Sequence, residues 1–227
     1  DNYPEIIWSD LYSYLYVTDK NLNLLDGFPK YLEPLEGYPY SVMSYGSVSV
    51  ADIDNNRNKE LVVESFSCDT IDNCSPLTGH SRIWVFDNQG NSLPGWPIDL
   101  KESLSYKNIV IADLNKDGNK EIIFGSVNGS VFVLNYQGEN LVGWPITIYN
   151  NPTGEFNYFA IGGVSVGDIN LDGNLEVLFT GETVFENTPW GIHPLDCLFV
   201  YDNKGNSFNN FPVCGDYVNF KTGFTEI

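Results

Sequence analysis

Short apolar runs alternate along the chain with clusters of Asp, Asn and Gly, and no stretch carries apolar residues at helical spacing. Three segments align without a gap: SVSVADIDNNRNKELVVES (47–65), NIVIADLNKDGNKEIIFGS (108–126) and GVSVGDINLDGNLEVLFTG (163–181). Each predicts a strand, an acidic loop ending in Glu, and a second strand. A second block follows each one: IWVFDNQGNSLPGWP (83–97), VFVLNYQGENLVGWP (131–145) and LFVYDNKGNSFNNFP (198–212). In these blocks β-branched and aromatic runs flank an Asn/Asp/Gly turn. That pattern predicts a hairpin with Gly90, Gly138 and Gly205 where a positive φ is needed.

The N-terminus enters the same series partway through. Asp1 to Glu5 matches the end of an acidic loop, Ile6 to Trp8 the strand after it, and LYVTDKNLNLLDGFP (15–29) the hairpin block. Residues 216–227 resemble an opening strand. Four short strands per unit, recurring every roughly 50 to 60 residues, predict an all-β fold of four-stranded antiparallel propeller blades. Residues 1–45 read as a partial blade, 46–100, 104–147 and 160–213 as full blades, and 214–227 as the opening strand of a further one. Such ends predict a portion of a larger ring. The alternative is that the last strand pairs with Ile6 to Trp8 and closes a small ring of about four blades. A parallel β-helix fits less well, because its rungs are shorter than these units. One blade cannot bury both faces alone, so the recurrent Phe28, Trp96, Trp144 and Phe211 are expected to fill the space between neighbours.

The acidic loops carry the candidate chemistry. Oxygen-bearing side chains recur at positions one, three, five and nine: Asp52, Asp54, Asn56 and Glu60; Asp113, Asn115, Asp117 and Glu121; Asp168, Asn170, Asp172 and Glu176. Alternating oxygens converge on one point, and a hard cation such as Ca²⁺ takes six to eight of them at about 2.3–2.6 Å. Position seven (Asn58, Asn119, Asn174) would add a backbone carbonyl. Three carboxylates per loop offset the ion's charge, whereas Mg²⁺ demands a tighter octahedron. An EF-hand loop would need an acid at position twelve, where this chain has Val63, Phe124 and Phe179. The competing reading is of solvated Asp/Asn turns.

With these motifs the chain resembles the FG-GAP (VCBS-type) repeats of integrin α-subunit propellers and of microbial secreted proteins, whose signature is DxDxDGxxD between the first two strands of a blade. The resemblance implies two to three structural Ca²⁺ ions, held by Asp113, Asn115, Asp117, Asn119 and Glu121, by Asp168, Asn170, Asp172, Asn174 and Glu176, and by Asp52, Asp54, Asn56, Asn58 and Glu60. The last set departs from the pattern, since Arg57 replaces the turn Gly and Asn56 an acid. All three sets end in Glu rather than Asp.

The loops joining the second and third strands vary in length. The middle unit has a minimal connection (127–130), while its neighbours carry insertions at 66–81 and 181–196. Long loops on a rigid scaffold are where recognition concentrates, which makes Phe185, Trp190 and His193 candidates for a ligand face. The bland alternative is a stapled or tucked loop with no ligand.

Composition narrows the function classes. Thirty acids against 11 bases in 227 residues give a formal charge of -19, which repels nucleic acid and anionic membrane and favours cations. No apolar run approaches the roughly 20 residues of a membrane span, and the N-terminus lacks signal-peptide character, so any export signal is expected to be removed or to lie outside this stretch. Cys68 with Cys74 and Cys197 with Cys214 predict two local disulfides, the alternative being four reduced thiols. Asn73 and Asn128 stand in glycosylation sequons. Together these suggest a secreted or cell-surface protein. With two histidines, His80 and His193, no catalytic constellation is visible. The expectation is a non-catalytic ligand-binding or adhesion scaffold with a protein or glycan partner. Alternatives are a structural subunit of a surface layer or filament, or the accessory propeller of a secreted polysaccharide lyase or protease.

Overall fold

The computed structural model describes residues 4–42, 48–70, 79–104, 108–148, 156–185 and 195–216. These form an all-β structure of antiparallel sheets. The first sheet holds β1 (Ile6–Ser9), β2 (Tyr14–Thr18) and β3 (Lys30–Tyr31). In the second, β4 (Tyr40–Val42) and β5 (Ser49–Ala51) pair along one edge of β6 (Glu60–Cys68), and β7 (His80–Phe86) and β8 (Ile98–Asp99) follow. The third is β9 (Val110–Ala112), β10 (Glu121–Gly125), β11 (Ser130–Leu134) and β12 (Ile146–Thr147). The fourth is β13 (Phe156–Gly167), β14 (Glu176–Phe185), β15 (Leu195–Tyr201) and β16 (Val213–Asp216). Thus β4 and β13 begin ahead of the boundaries expected at 46 and 160, and β16 runs past 213.

Within each sheet the strands pair in chain order, as local connections favour. The sheets stack in chain order too, each pair enclosing its own apolar cluster. Leu15, Val17 and Phe28 meet Leu61, Val63 and Trp84 between the first and second sheets. Val62, Ile83, Val85 and Trp96 meet Ile122 and Phe124 between the second and third. Ile123, Val131, Val133 and Trp144 meet Val177, Phe179 and Phe199 between the third and fourth. Period-two alternation explains the division, because one strand sends successive residues to opposite neighbours. Val62 faces the third sheet while Leu61 and Val63 face the first.

The aromatics of the Gly/Asn-aromatic-Pro motif act between sheets. Phe28, Trp96 and Trp144 are buried, each beside a glycine at positive φ that lies against the next sheet's turn. The indole N–H of Trp96 donates to the Tyr136 carbonyl at 2.9 Å, and that of Trp144 to the Asn203 carbonyl at 3.4 Å. Phe211 is only half-buried, in the last sheet.

Two expectations need revision. The Asn/Asp/Gly turns at Gly90, Gly138 and Gly205 do have positive φ (76°, 84° and 76°), but each closes with a single bridge (Phe86↔Ser92, Leu134↔Asn140, Tyr201↔Ser207) rather than a full hairpin. The next strand forms only after the aromatic-Pro step, because the intervening residues turn the ring toward the neighbouring sheet. The insertions at 66–81 and 181–196 are also less loop-like than expected. β6 and β7 stay paired out to Ser67↔His80, and β14 and β15 out to Glu182↔Asp196. β4 and the first half of β13 extend the same ladders. Backbone pairing continues because β4 or the first half of β13 supplies a third strand, so the described ends of both insertions prolong their sheets.

Replacing Gly143 by Ala places a Cβ against the Lys204 carbonyl at a φ of +94°, where side-chain-bearing residues are strained. The Gly143→Ala variant is expected to lose roughly 1–3 kcal/mol in urea unfolding. A loss within error of zero would mean the turns are not tightly stacked.

Candidate metal centre

Each acidic loop leaves one strand (β5, β9 or β13) and enters the next (β6, β10 or β14) at a buried Glu. Glu60, Glu121 and Glu176 are at most 2% exposed. In every loop Oε2 of this Glu accepts the backbone N–H of position two, from Ile53 at 2.9 Å, Leu114 at 2.8 Å and Ile169 at 3.0 Å. A Glu arm spans the loop where an Asp would be shorter by one methylene, and in the second loop the other oxygen accepts from the Asn115 amide at 3.3 Å.

The rest of each loop is pre-folded around backbone N–H groups. The position-one carboxylate accepts the N–H of position six: Asp52 from Arg57 at 3.0 Å, Asp113 from Gly118 at 3.1 Å and Asp168 from Gly173 at 2.8 Å. Position three accepts from position five: Asp54 at 3.2 Å, Asn115 at 2.8 Å and Asn170 at 2.9 Å. Position five accepts from position seven, with Asn58, Asn119 and Asn174 donating at 2.7–2.8 Å. These nested turns require left-handed backbone at position four (Asn55, Lys116, Leu171) and position six (Arg57, Gly118, Gly173). Gly is suited to the latter. Arg57, at φ 74°, holds the same conformation at a cost of roughly 1–2 kcal/mol.

Positions three and five are one acid and one amide in every loop, hydrogen-bonded to each other at 2.9–3.0 Å. In the first loop the order is exchanged, Asp54 with Asn56, so three carboxylates are kept in all three. Carboxylate oxygens of Asp52, Asp54 and Glu60 lie within 4.8 Å of one another. That spacing fits one calcium shell, whose ligands at about 2.3–2.6 Å can be no more than about 5 Å apart. The loop that departs most from the repeat pattern therefore gathers its acids well. In the second loop Oδ1 of Asp113 is buried with no hydrogen-bond partner, the kind of orphaned acceptor that a cation would satisfy.

The electrostatics agree. Burial pushes Glu121 up to about 7, against the pull of the Leu114 and Asn115 N–H bonds, and Asp117 and Asp113 add to the rise. Burial also raises Glu60, with Asp54 and Asp52 contributing. Asp172, by contrast, is lowered by the Asn174 N–H and the Asn170 amide. Neighbouring loops touch: Lys116 Nζ donates to Asn174 Oδ1 at 2.9 Å, and Lys120 N to Ile53 O at 2.8 Å. Neither link was visible in the sequence.

Of the remaining candidates, Phe185 ends β14, while Trp190, His193, Asn73 and Cys74 fall outside the described residues. Asn128 is exposed at the β10–β11 turn. Cys197 stands directly opposite Cys214 in the β15–β16 register, and neither Cys68 nor Cys197 is a free thiol. No helix among the described residues is long and apolar enough to cross a membrane.

A carboxyl whose folded value lies near 7 rather than 4.5 keeps its proton in the folded state after the unfolded chain has lost it. In EDTA, stability is therefore expected to fall as pH rises from about 4.5 to 7 and then level off. Glu121→Gln should flatten that slope in urea unfolding across the pH series. An unchanged slope would place the titrating group elsewhere.

No curated protein matches the chain. Among solved structures, the biofilm matrix protein Bap1 of V. cholerae is similar over 92% of this chain, at 18% identity and a TM-score of 0.52. The exotype rhamnogalacturonan lyase YesX (16% identity, 88% of this chain, TM-score 0.47) and a Bacillus licheniformis rhamnogalacturonan lyase (15%, 91%, 0.47) are more distant likenesses. The chain spans 26% of the length of Bap1 and 40% and 43% of the two lyases. Residues 113–179, from the first acid of the second loop to the strand after the third, match the FG-GAP-like repeat family. The chain thus carries an FG-GAP-like repeat, centred on two of its three acidic loops.

Proposed function

We propose that these sheets are blades of a calcium-stabilised extracellular β-propeller that serves as a non-catalytic scaffold for a protein or glycan ligand. The observation that carries this reading is the threefold repetition of one oxygen arrangement, with three carboxylates in each loop and a buried, unpartnered Asp113 oxygen in the second. Calcium on each loop would neutralise buried acids and fix the edge of the stack. The disulfides we propose, Cys68 with Cys74 and Cys197 with Cys214, and the sequons at Asn73 and Asn128 suit an oxidising, exported setting. The ligand face we propose lies at the other end of the strands, where the insertions prolong β6–β7 and β14–β15 and where Phe185, Trp190 and His193 fall in the sequence.

Thermal unfolding in calcium, in magnesium and in EDTA, with ion stoichiometry, tests the metal role. A ligand bound only by the folded state must raise stability by mass action. The expected result is a calcium-selective rise in Tm with two or three ions bound. No shift and no bound ion would make the loops solvated turns. Glycan-array and pull-down screens of the wild type against a variant shortened across 186–194 test the ligand face. A partner lost with that segment supports it, and binding unaffected by the deletion, or no partner at all, removes it.

A further inference from the structure

The three acidic loops differ in the cations they carry. The first holds Arg57 and Lys59 and the second Lys116 and Lys120, whereas positions four, six and eight of the third are Leu171, Gly173 and Leu175. The carboxylates of Asp168, Asp172 and Glu176 thus have no basic residue within their own loop.

Adjacent loops meet at matching places. Position four of one loop reaches position six of the next: a Cβ on Gly118 would stand 3.5 Å from Asn55 Nδ2, and one on Gly173 would stand 3.7 Å from Lys116 Nζ. Both position-four residues sit in left-handed backbone, at φ 57° and 63°. The group that crosses the first junction is a neutral amide, and the group that crosses the second is an ammonium. There it donates to Asn174 Oδ1 at 2.9 Å. It also joins the Asn174 N–H and the Asn170 amide in holding Asp172 below the ordinary carboxyl value. The second loop therefore supplies the cation that the third lacks.

The bond engages the side-chain oxygen of Asn174 and leaves its main-chain carbonyl, the atom that the resemblance assigns to calcium, uninvolved. An ion in the third loop and the Lys116 ammonium can then be held at once, and two positive charges side by side repel. In the metal-free loop the same ammonium offsets the mutual repulsion of three carboxylates.

Resting on the calcium reading above, we propose that Lys116 is the counter-ion of the third loop, steadying that loop in the metal-free protein and lowering its affinity for calcium. The two effects are one coupling free energy: whatever the ammonium contributes to the free loop and not to the loaded one is lost on binding.

Calcium titration of the ¹⁵N-labelled 227-residue chain, followed by NMR, reads the loops separately. The Gly118 and Gly173 amides report the second and third loops, because they donate to Asp113 and Asp168 respectively. In Lys116→Gln the Gly173 signal should reach half-saturation at about two- to fivefold lower calcium, the scale of an exposed charge contact, with a smaller change at Gly118. Lys116→Arg should behave as wild type, and about 0.5 M KCl should shrink the difference, since Lys116 is exposed and salt screens it. In EDTA the Tm of Lys116→Gln should lie about 1–3 °C below wild type, and saturating calcium should close that gap. Equal half-saturation of Gly173 in the two proteins, a shift as large at Gly118, or a Tm gap of the same size with and without calcium would overturn the proposal while leaving the metal sites standing. Calcium that moves neither glycine would remove both this inference and the calcium reading beneath it.

Discussion

A sheet only four strands wide has two faces and cannot shield either one by itself, and the architecture described here follows from that constraint. Alternation along β6, β7, β10 and β11 sends apolar side chains both ways, so each inner sheet contributes to two clusters at once. The core is consequently a series of separate interfaces rather than one centre. Polar links reinforce each interface: Asn108 exchanges two hydrogen bonds with the Val164 backbone, Ser49 donates to the Ile109 carbonyl at 2.7 Å, and Arg82 reaches back to the Glu33 carbonyl at 3.3 Å while its guanidinium pairs with Asp99. The Arg82 guanidinium also lies over the Trp84 ring, 5.4 Å from its centroid, a cation–π contact.

The acidic loops are tied to this stacking through their last residue. Glu60, Glu121 and Glu176 begin β6, β10 and β14, so the residue that closes the loop is also held by the strand ladder. Burying a carboxylate is costly unless it is compensated. Backbone N–H bonds supply part of that compensation, and in the second loop burial still prevails, as the position of Glu121 shows. The Asx turns after the third strands solve a gentler version of the same problem. Burial works against ionisation of Asp87 and Asp202, but three hydrogen bonds to each hold their carboxyls below the ordinary value.

Much of this was legible in the sequence. The strand–acid loop–strand register, the glycine turns and the aromatic-Pro motif are all spaced by local backbone requirements, which leave a residue-by-residue trace. The partners across sheets left none: nothing in the letters pairs Trp96 with the Tyr136 carbonyl or Lys116 with Asn174. The prolonged strands were missed because Phe66 to Ser81 and Gly181 to Asp196 are rich in turn-forming residues, while their pairing depends on β4 and on the first half of β13. Arg57 looked like a defect in its loop. The fold tolerates it because position six asks only for left-handed backbone, and the exchange of Asp54 with Asn56 leaves the oxygen count intact.

Before any cation binds, three carboxylates in each of three adjoining loops put a dense band of negative charge along one rim. Such a molecule has a strong charge moment across its width. At about 0.1 M salt it would turn this rim toward any positive surface over a distance of about 10 Å before the surfaces meet, so it would arrive already oriented.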